Sequence, residues 1–251
     1  MAAAVQVFPE ADTLLDAAAG MVVAHAVTSI AARGRFVIAL AGGSTPRGLY
    51  QRLARVAWRD RIDWSRVHLC WGDERCVSPT HADSNYRMAR EALLDHVPVP
   101  AAQVHRMRGE DVPDSAAVNY EAELRATLDA GPPGGPSVFD LVLLGLGADG
   151  HTASLFPGMP SGRVITRWVV AEHVDTARGW RLTLTPPIIN AARSVLFLVT
   201  GDDKAAALAA VLEGPAQPSA LPAQAVASGS SQVTWLVDRA AARLLTRTHH
   251  D

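Results

Sequence analysis

Short, unbroken apolar runs recur along the chain, and between them lie Ala-rich or amphipathic stretches. Phe36-Val37-Ile38-Ala39-Leu40-Ala41 is the clearest run. It lacks any apolar/polar alternation, which excludes a strand with one wet face and indicates a strand covered on both. Strands of that kind belong to parallel sheets, because parallel neighbours are joined by helical crossovers and each crossover covers a face. This pattern places the chain in the α/β class.

The same reading extends along the sequence. Residues 5–8, 36–41, 67–71, 139–146, 168–174, 181–185, 195–200 and 233–237 are expected as strands. Residues 12–33, 46–57, 83–95, 114–130, 204–212 and 238–245 are expected as helices, with a short one after Pro186 and Gly34 as the stop of the first. Residues 131–137 form a Gly/Pro breaker cluster. The strand pattern resumes directly after it, so it is read as a long surface loop. The expectation is a single α/β domain over residues 1–251: a doubly wound, mainly parallel, Rossmann-like sheet flanked by helices, with a small additional strand region.

Composition narrows the partners. Hydrophobic residues make up 49% and charged residues 19%, enough for a buried core and unlike a disordered chain. A formal net charge of −2 gives no global positive field, so neither nucleic acid nor an anionic membrane is an expected partner. A local anion site needs only one or two cations and survives this test. Cys70 and Cys76 are too far apart for a Cys-x-x-Cys pair; a strand-buried Cys70 and a loop Cys76 are expected. Residues 1–9 lack the basic start and apolar run of a signal peptide. The longest apolar stretches are read as falling short of the roughly 18 residues of a membrane span. A cytoplasmic protein is the expectation.

In open α/β sheets ligands bind beyond the carboxyl ends of the strands. The residues that follow each strong strand are therefore the place to look. Gly42-Gly43-Ser44-Thr45-Pro46 follows one, Gly72-Asp73-Glu74-Arg75 the next, Gly145 through His151 the third and Gly201-Asp202-Asp203-Lys204 the fourth. Each loop opens with glycine and carries polar or ionisable groups, more than a structural sheet requires.

The first loop fits a phosphate cradle. Gly42 and Gly43 permit close backbone approach, Thr45 can cap the helix and Pro46 suits its first position. The helix then offers free N–H groups to an anion. An ordinary capped turn explains the same residues, and the loop alone does not decide. In Gly147-Ala148-Asp149-Gly150-His151-Thr152, His151 is the proton acceptor suited to neutral pH, with Asp149 beside it. Asp73, Arg75, Arg181 and Lys204 would each, taken alone, be surface charges; on this rim they become site candidates. No His-x-x-x-His or His-Glu-x-x-His spacing suggests a metal, and no Gly-x-Ser-x-Gly elbow suggests a serine nucleophile.

Five motifs in register now resemble one family. They are Ala41 to Pro46, Trp71 to Arg75 with Ser84-Asn85-Tyr86, Gly145 to Gly158, Arg181 to Thr185, and Gly201 to Lys204. The family is that of the 6-phosphogluconolactonases and their relatives the glucosamine-6-phosphate deaminases, and the resemblance runs from about residue 37 onward. It implies a fold of the sugar-phosphate isomerase type and a small phosphorylated sugar lactone as substrate, 6-phosphogluconolactone, opened to 6-phosphogluconate in the oxidative pentose phosphate route. No cofactor is implied. Oligomeric state stays open, with a monomer favoured.

Deaminases carry Asp-Glu-Tyr where this chain has Asp73-Glu74-Arg75, and a glutamate where it has Phe156. Both differences favour lactone hydrolysis. A non-catalytic sugar-phosphate sensor is the alternative from another class. Such sensors usually accompany a helix-turn-helix domain, for which the reading leaves no segment.

The expected roles follow. Gly42, Gly43, Ser44, Thr45 and Lys204 hold the 6-phosphate, with Arg181 a further cationic contact. His151, held by Asp149, takes a proton from the attacking water, and Arg75 faces the developing oxyanion. Asp73 orients Arg75 or a hydroxyl, and Asn85 contacts the sugar. Whether Arg167, Arg178 or Trp180 join the site is left open.

Overall fold

A computed structural model describes residues 4–129, 138–226 and 232–246. The chain begins with β1 (Ala4–Phe8), α1 (Ala11–Arg33), β2 (Phe36–Leu40), α2 (Ser44–Leu53) and α3 (Val56–Arg59). Next come β3 (Val67–Trp71), β4 (Asp73–Arg75), α4 (Asn85–Ala92), α5 (Pro113–Asp129) and β5 (Leu141–Leu144). The C-terminal part contributes β6 (Val169–His173), β7 (Trp180–Leu184), α6 (Pro186–Ala191), β8 (Ser194–Val199) and α7 (Ala205–Glu213). It closes with α8 (Ala223–Val226), β9 (Gln232–Asp238) and α9 (Arg239–Ala242).

Six strands form one sheet in the order β1-β9-β8-β5-β2-β3, and every pair is parallel. Every residue of β2, β5 and β8 is buried, which is why those segments read as unbroken apolar runs. Phe197 and Trp235 stack between neighbouring strands with ring centroids 3.7 Å apart. The α/β class and the mainly parallel sheet are therefore as the sequence implies.

Strand order fixes where a ligand can sit. From β2 the chain moves outward to β3, then returns across β2 to place β5 on its other side. The connections leaving β2 and β5 thus part in opposite directions, and a crevice opens between them at the carboxyl ends. The loops after β2 and β5 are the two Gly-rich motifs.

Several expected boundaries change. Residues 72–75, read as a loop, include β4, which pairs antiparallel with β7; β7 pairs in turn with β6 to complete a three-stranded second sheet. The predicted helix 46–57 starts earlier and breaks in two, because Arg55 adopts an extended backbone with ψ 145° between α2 and α3. The helix expected over 238–245 is only α9, since Asp238 belongs to β9 and caps α9 by accepting the Ala241 N–H at 2.8 Å. The breaker cluster 131–137 lies outside the described residues.

The expectation that no stretch approaches a membrane span also needs correction. α1 has 23 residues and is long and apolar enough to pass such a test. In the fold, Leu14, Ala18, Ala19, Val22, Val23 and Ala26 bury one stripe of it, and the helix packs on β1, β2, β9 and α2. Asp12 and Asp16 on the same helix ion-pair with Arg52 of α2. Alanine at buried positions keeps the packed face small, while Leu14, Val22 and Val23 supply most of its buried apolar surface.

Candidate active site

The rim loops enclose a cleft of about 340 Å³. Gly42, Gly43, Ser44, Thr45, Asp73, Arg75, Asn85, His151, Arg181 and Lys204 all line it, and Asp149 lies directly behind His151. Segments more than 150 residues apart are thus drawn to one place: Thr45 Oγ1 lies 2.7 Å from Thr200 Oγ1, joining the loop after β2 to the loop after β8.

At this end of the cleft the cap differs from expectation. Thr45 does not cap α2; the helix begins at Ser44, and its N-cap is Gly43 with φ 103° and no side chain to offer. The first backbone bond runs from the Arg47 N–H to the Gly43 carbonyl at 3.1 Å. The Ser44 and Thr45 amides therefore sit in an uncapped first turn, where the helix dipole favours an anion. Lys204 faces the same region at the end of the loop after β8, its ammonium 3.0 Å from Asp203. The loop is set from beneath by Tyr50, whose hydroxyl donates to the Ala41 carbonyl at 2.8 Å and accepts from the Ala41 N–H at 2.9 Å.

The loop after β5 carries the titratable pair. Asp149 Oδ1 accepts from the His151 backbone N–H at 3.1 Å and from Nδ1 at 2.5 Å. A carboxylate only accepts, so Nδ1 carries a proton, and in the neutral ring the lone pair is on Nε2. Burial pushes the Asp149 carboxyl up, and the hydrogen bond and charge of His151 outweigh it, leaving it below the usual range. Gly147 makes the geometry possible: a Cβ there would stand 2.0 Å from His151 Nδ1. Phe156 packs on the imidazole with centroids 4.5 Å apart. Ala153 is the one described non-glycine residue with positive φ, at 48°. It sits between Thr152, whose hydroxyl donates to Gly145, and Ser154, whose hydroxyl donates to Asp73 Oδ2 at 2.7 Å.

Asp73 and Asn85 form the floor. Asn85 Nδ2 donates to the Asp73 carbonyl at 2.9 Å and to Oδ1 at 3.2 Å, so both Asp73 oxygens are engaged. A Cβ on Gly42 would fall 2.0 Å from Asn85 Oδ1, so glycine there is what lets the loop after β2 touch the start of α4. Glu74, passed over in the sequence, is buried and anchors this junction. It accepts from the backbone N–H groups of Arg75, Asn85 and Tyr86 and from the Ser84 hydroxyl. Burial raises its carboxyl above the usual range despite those four donors.

Three arginines face the far end. Arg75 is held by the Asp83 carbonyl rather than by Asp73. Arg181 donates to the Arg178 and Trp180 carbonyls. Arg178 joins the site, lining the cleft 3.7 Å from Asp149 Oδ2 with its guanidinium 4.9 Å above the Phe156 ring. Arg167 is engaged elsewhere, 2.7 Å from Glu121, and Trp180 is half-exposed beside His173 and outside the cleft lining. Among the described residues no three His, Cys, Asp or Glu side chains converge to hold a metal.

The model of the glucosamine-6-phosphate isomerases/6-phosphogluconolactonase family matches residues 9–235. The chain belongs to this family. A 6-phosphogluconolactonase from Synechocystis sp. is 43% identical over 242 residues, covering 96% of this chain and 98% of its own. The solved 6-phosphogluconolactonase from Trypanosoma cruzi superposes with a TM-score of 0.85 at 30% identity, covering 98% of this chain and 99% of that one. A monomeric glucosamine-6-phosphate deaminase reaches a TM-score of 0.80 at 23% identity over 96% of this chain and 99% of that one, which shows a shared fold. Both activities of the family thus occur on this architecture, and side chains must separate them.

Ser154 and Thr200 escaped the sequence reading as site residues, and Arg178 was left open. Ser154 and Thr200 lay within or beside quoted motifs, two residues from Thr152 and one before Gly201, so strand-end position was a usable signal. For Arg178 the signal was its place three residues before Arg181; it reaches the cleft on the hairpin joining β6 to β7.

Proposed function

We propose that this chain hydrolyses 6-phosphogluconolactone to 6-phosphogluconate by a metal-independent route in which His151 is the general base. The observation that carries the reading is the His151 imidazole, held by Asp149 through Nδ1 with Nε2 left for the reactant, in the same cleft as the uncapped turn at Ser44 and Lys204.

The phosphate rests on the Ser44 and Thr45 amides and hydroxyls, with Lys204 neutralising charge. This directs the lactone ring toward the loop after β5. A water oxygen attacks the carbonyl carbon and a new C–O bond forms; His151 Nε2 takes the water proton. Negative charge passes to the carbonyl oxygen, opposite Arg75, whose donor stands fixed before the reaction begins. The tetrahedral centre collapses, the bond to the ring oxygen breaks, and the proton on His151 goes to that oxygen. The carboxylic acid then ionises, so each turnover releases one proton. Phe156 beside the imidazole offers no acid or base for sugar ring opening and aldose–ketose chemistry, which separates this site from a deaminase.

His151→Ala tests the reading. General-base removal lowers kcat by about 10²–10⁴-fold, while Lys204→Ala combined with Ser44→Ala raises KM. Full turnover by His151→Ala excludes His151 as the base, and an unchanged KM in the double variant excludes the phosphate assignment.

A further inference from the structure

The cross-strand register of β4 and β7 places Arg75 directly opposite Arg181. Like charges directly opposite on a sheet repel and are destabilising, yet here both guanidiniums line the cleft. Cations elsewhere in the cleft have carboxylate partners: Arg178 has Asp149 and Asp175, and Lys204 has Asp203. Arg75 and Arg181 have no ion pair among the described residues; their bonds go to main-chain carbonyls. The neighbouring carboxylates are otherwise occupied, Asp73 by Asn85 and Ser154, and Glu74 by its four donors. Burial and the nearby Arg75 charge pull the Arg181 guanidinium below its ordinary value, outweighing the opposing charge of Asp73. Two partly buried, mutually repelling forks thus stand on one face without a directly paired carboxylate.

An anion bound there is a different one from the phosphate. Thr45 is joined to Thr200, and Lys204 follows close after, which marks the phosphate end where the loops after β2 and β8 meet. Arg75 and Arg181 stand instead on the paired strands β4 and β7 of the three-stranded sheet.

We propose that Arg75 and Arg181 act together as one carboxylate clamp, which receives the carboxylate created when the lactone ring opens. This moves Arg181 from the phosphate to the opposite end of the cleft. It rests on the lactonase reading and extends it. Before reaction the clamp faces a neutral ester whose carbonyl oxygen gains charge in the tetrahedral state, and afterwards it faces a full anion. The cleft is therefore built for a chain with an anion at each end, and 6-phosphoaldonates bind it better than sugar phosphates that lack a carboxylate.

Calorimetric binding of 6-phosphogluconate and of sorbitol 6-phosphate, which has the same carbon chain with an alcohol at that end, tests this without turnover. The wild type should bind the carboxylate ligand at least about tenfold more tightly, as a charge-assisted fork implies. Arg181→Gln should abolish that gap while leaving sorbitol 6-phosphate binding within about twofold, and Arg181→Lys should restore part of it. Circular dichroism confirms folding, and Arg75→Gln supplies a second variant if Arg181→Gln does not fold. The proposal is overturned if the wild type shows no gap, if the gap survives in Arg181→Gln, or if both ligands weaken equally, which would return Arg181 to the phosphate. Failure of the lactonase reading is separate: it would show as a binding gap with no turnover of fresh lactone.

Discussion

At the β2 end of the cleft the groups facing a ligand are backbone amides, hydroxyls and one lysine, whereas at the β4–β7 end they are arginine side chains. The first end is made by the parallel sheet itself. A strand stops, Gly43 turns the chain with positive φ, and α2 starts with its amides unused. The second end is made by a small antiparallel sheet whose register alone brings Arg75 and Arg181 together. One end recognises charge with main-chain amides helped by hydroxyls and one lysine; the other depends wholly on two replaceable side chains.

The contrast can be broken most strongly at the arginine end. Arg75→Met removes the donor facing the developing oxyanion, and a loss of about 2.7–4 kcal/mol of transition-state stabilisation is expected, roughly 10²–10³ in kcat. Steady-state kinetics check it; a change confined to KM would mean that Arg75 serves binding alone. Between the two ends, Gly147→Ala drives a Cβ to within 2.0 Å of His151 Nδ1 and 2.7 Å of Asp149 Oδ1. Displacing the base by such an amount costs on the order of 10²-fold in kcat, with both anion ends intact, so product binding is the control.

At the main-chain end the effects are smaller. Lys204→Met should raise KM by about 10–100-fold with kcat nearly unchanged, because a charged bond contributes about 1.5–3 kcal/mol and the amides of α2 remain. Tyr50→Phe leaves the Ala41 N–H without its buried hydroxyl partner and should lower stability by about 1–3 kcal/mol in denaturant unfolding. A loss of activity larger than the loss of stability explains would show that the loop after β2 tolerates little displacement.

The same contrast explains what the sequence revealed. The loops after β2 and β5 were legible because a fully buried strand followed by glycine and polar residues has few other meanings in an α/β chain. β4 was not. Asp73-Glu74-Arg75 carries no apolar periodicity, and its strand character comes from pairing with β7, more than 100 residues away. Glu74 was given no role in the sequence, although it is buried and satisfied by main-chain donors that only the tertiary structure brings to it. Arg178 could only be left open, because a hairpin return decides its place. Helix starts shifted where Gly43, not Thr45, proved to be the cap. Local patterns marked the buried strands and the loops that follow them, while β4 and the pairing of Arg75 with Arg181 depend on long-range register.

The account stands on water-driven opening of a phosphorylated lactone, and the rate of acid release from freshly prepared 6-phosphogluconolactone measures this directly. With glucosamine 6-phosphate as control, the wild type should release one proton per lactone well above the spontaneous rate and no ammonia from the amino sugar. Ammonia release from the control, or acid release at only the spontaneous rate, would contradict it.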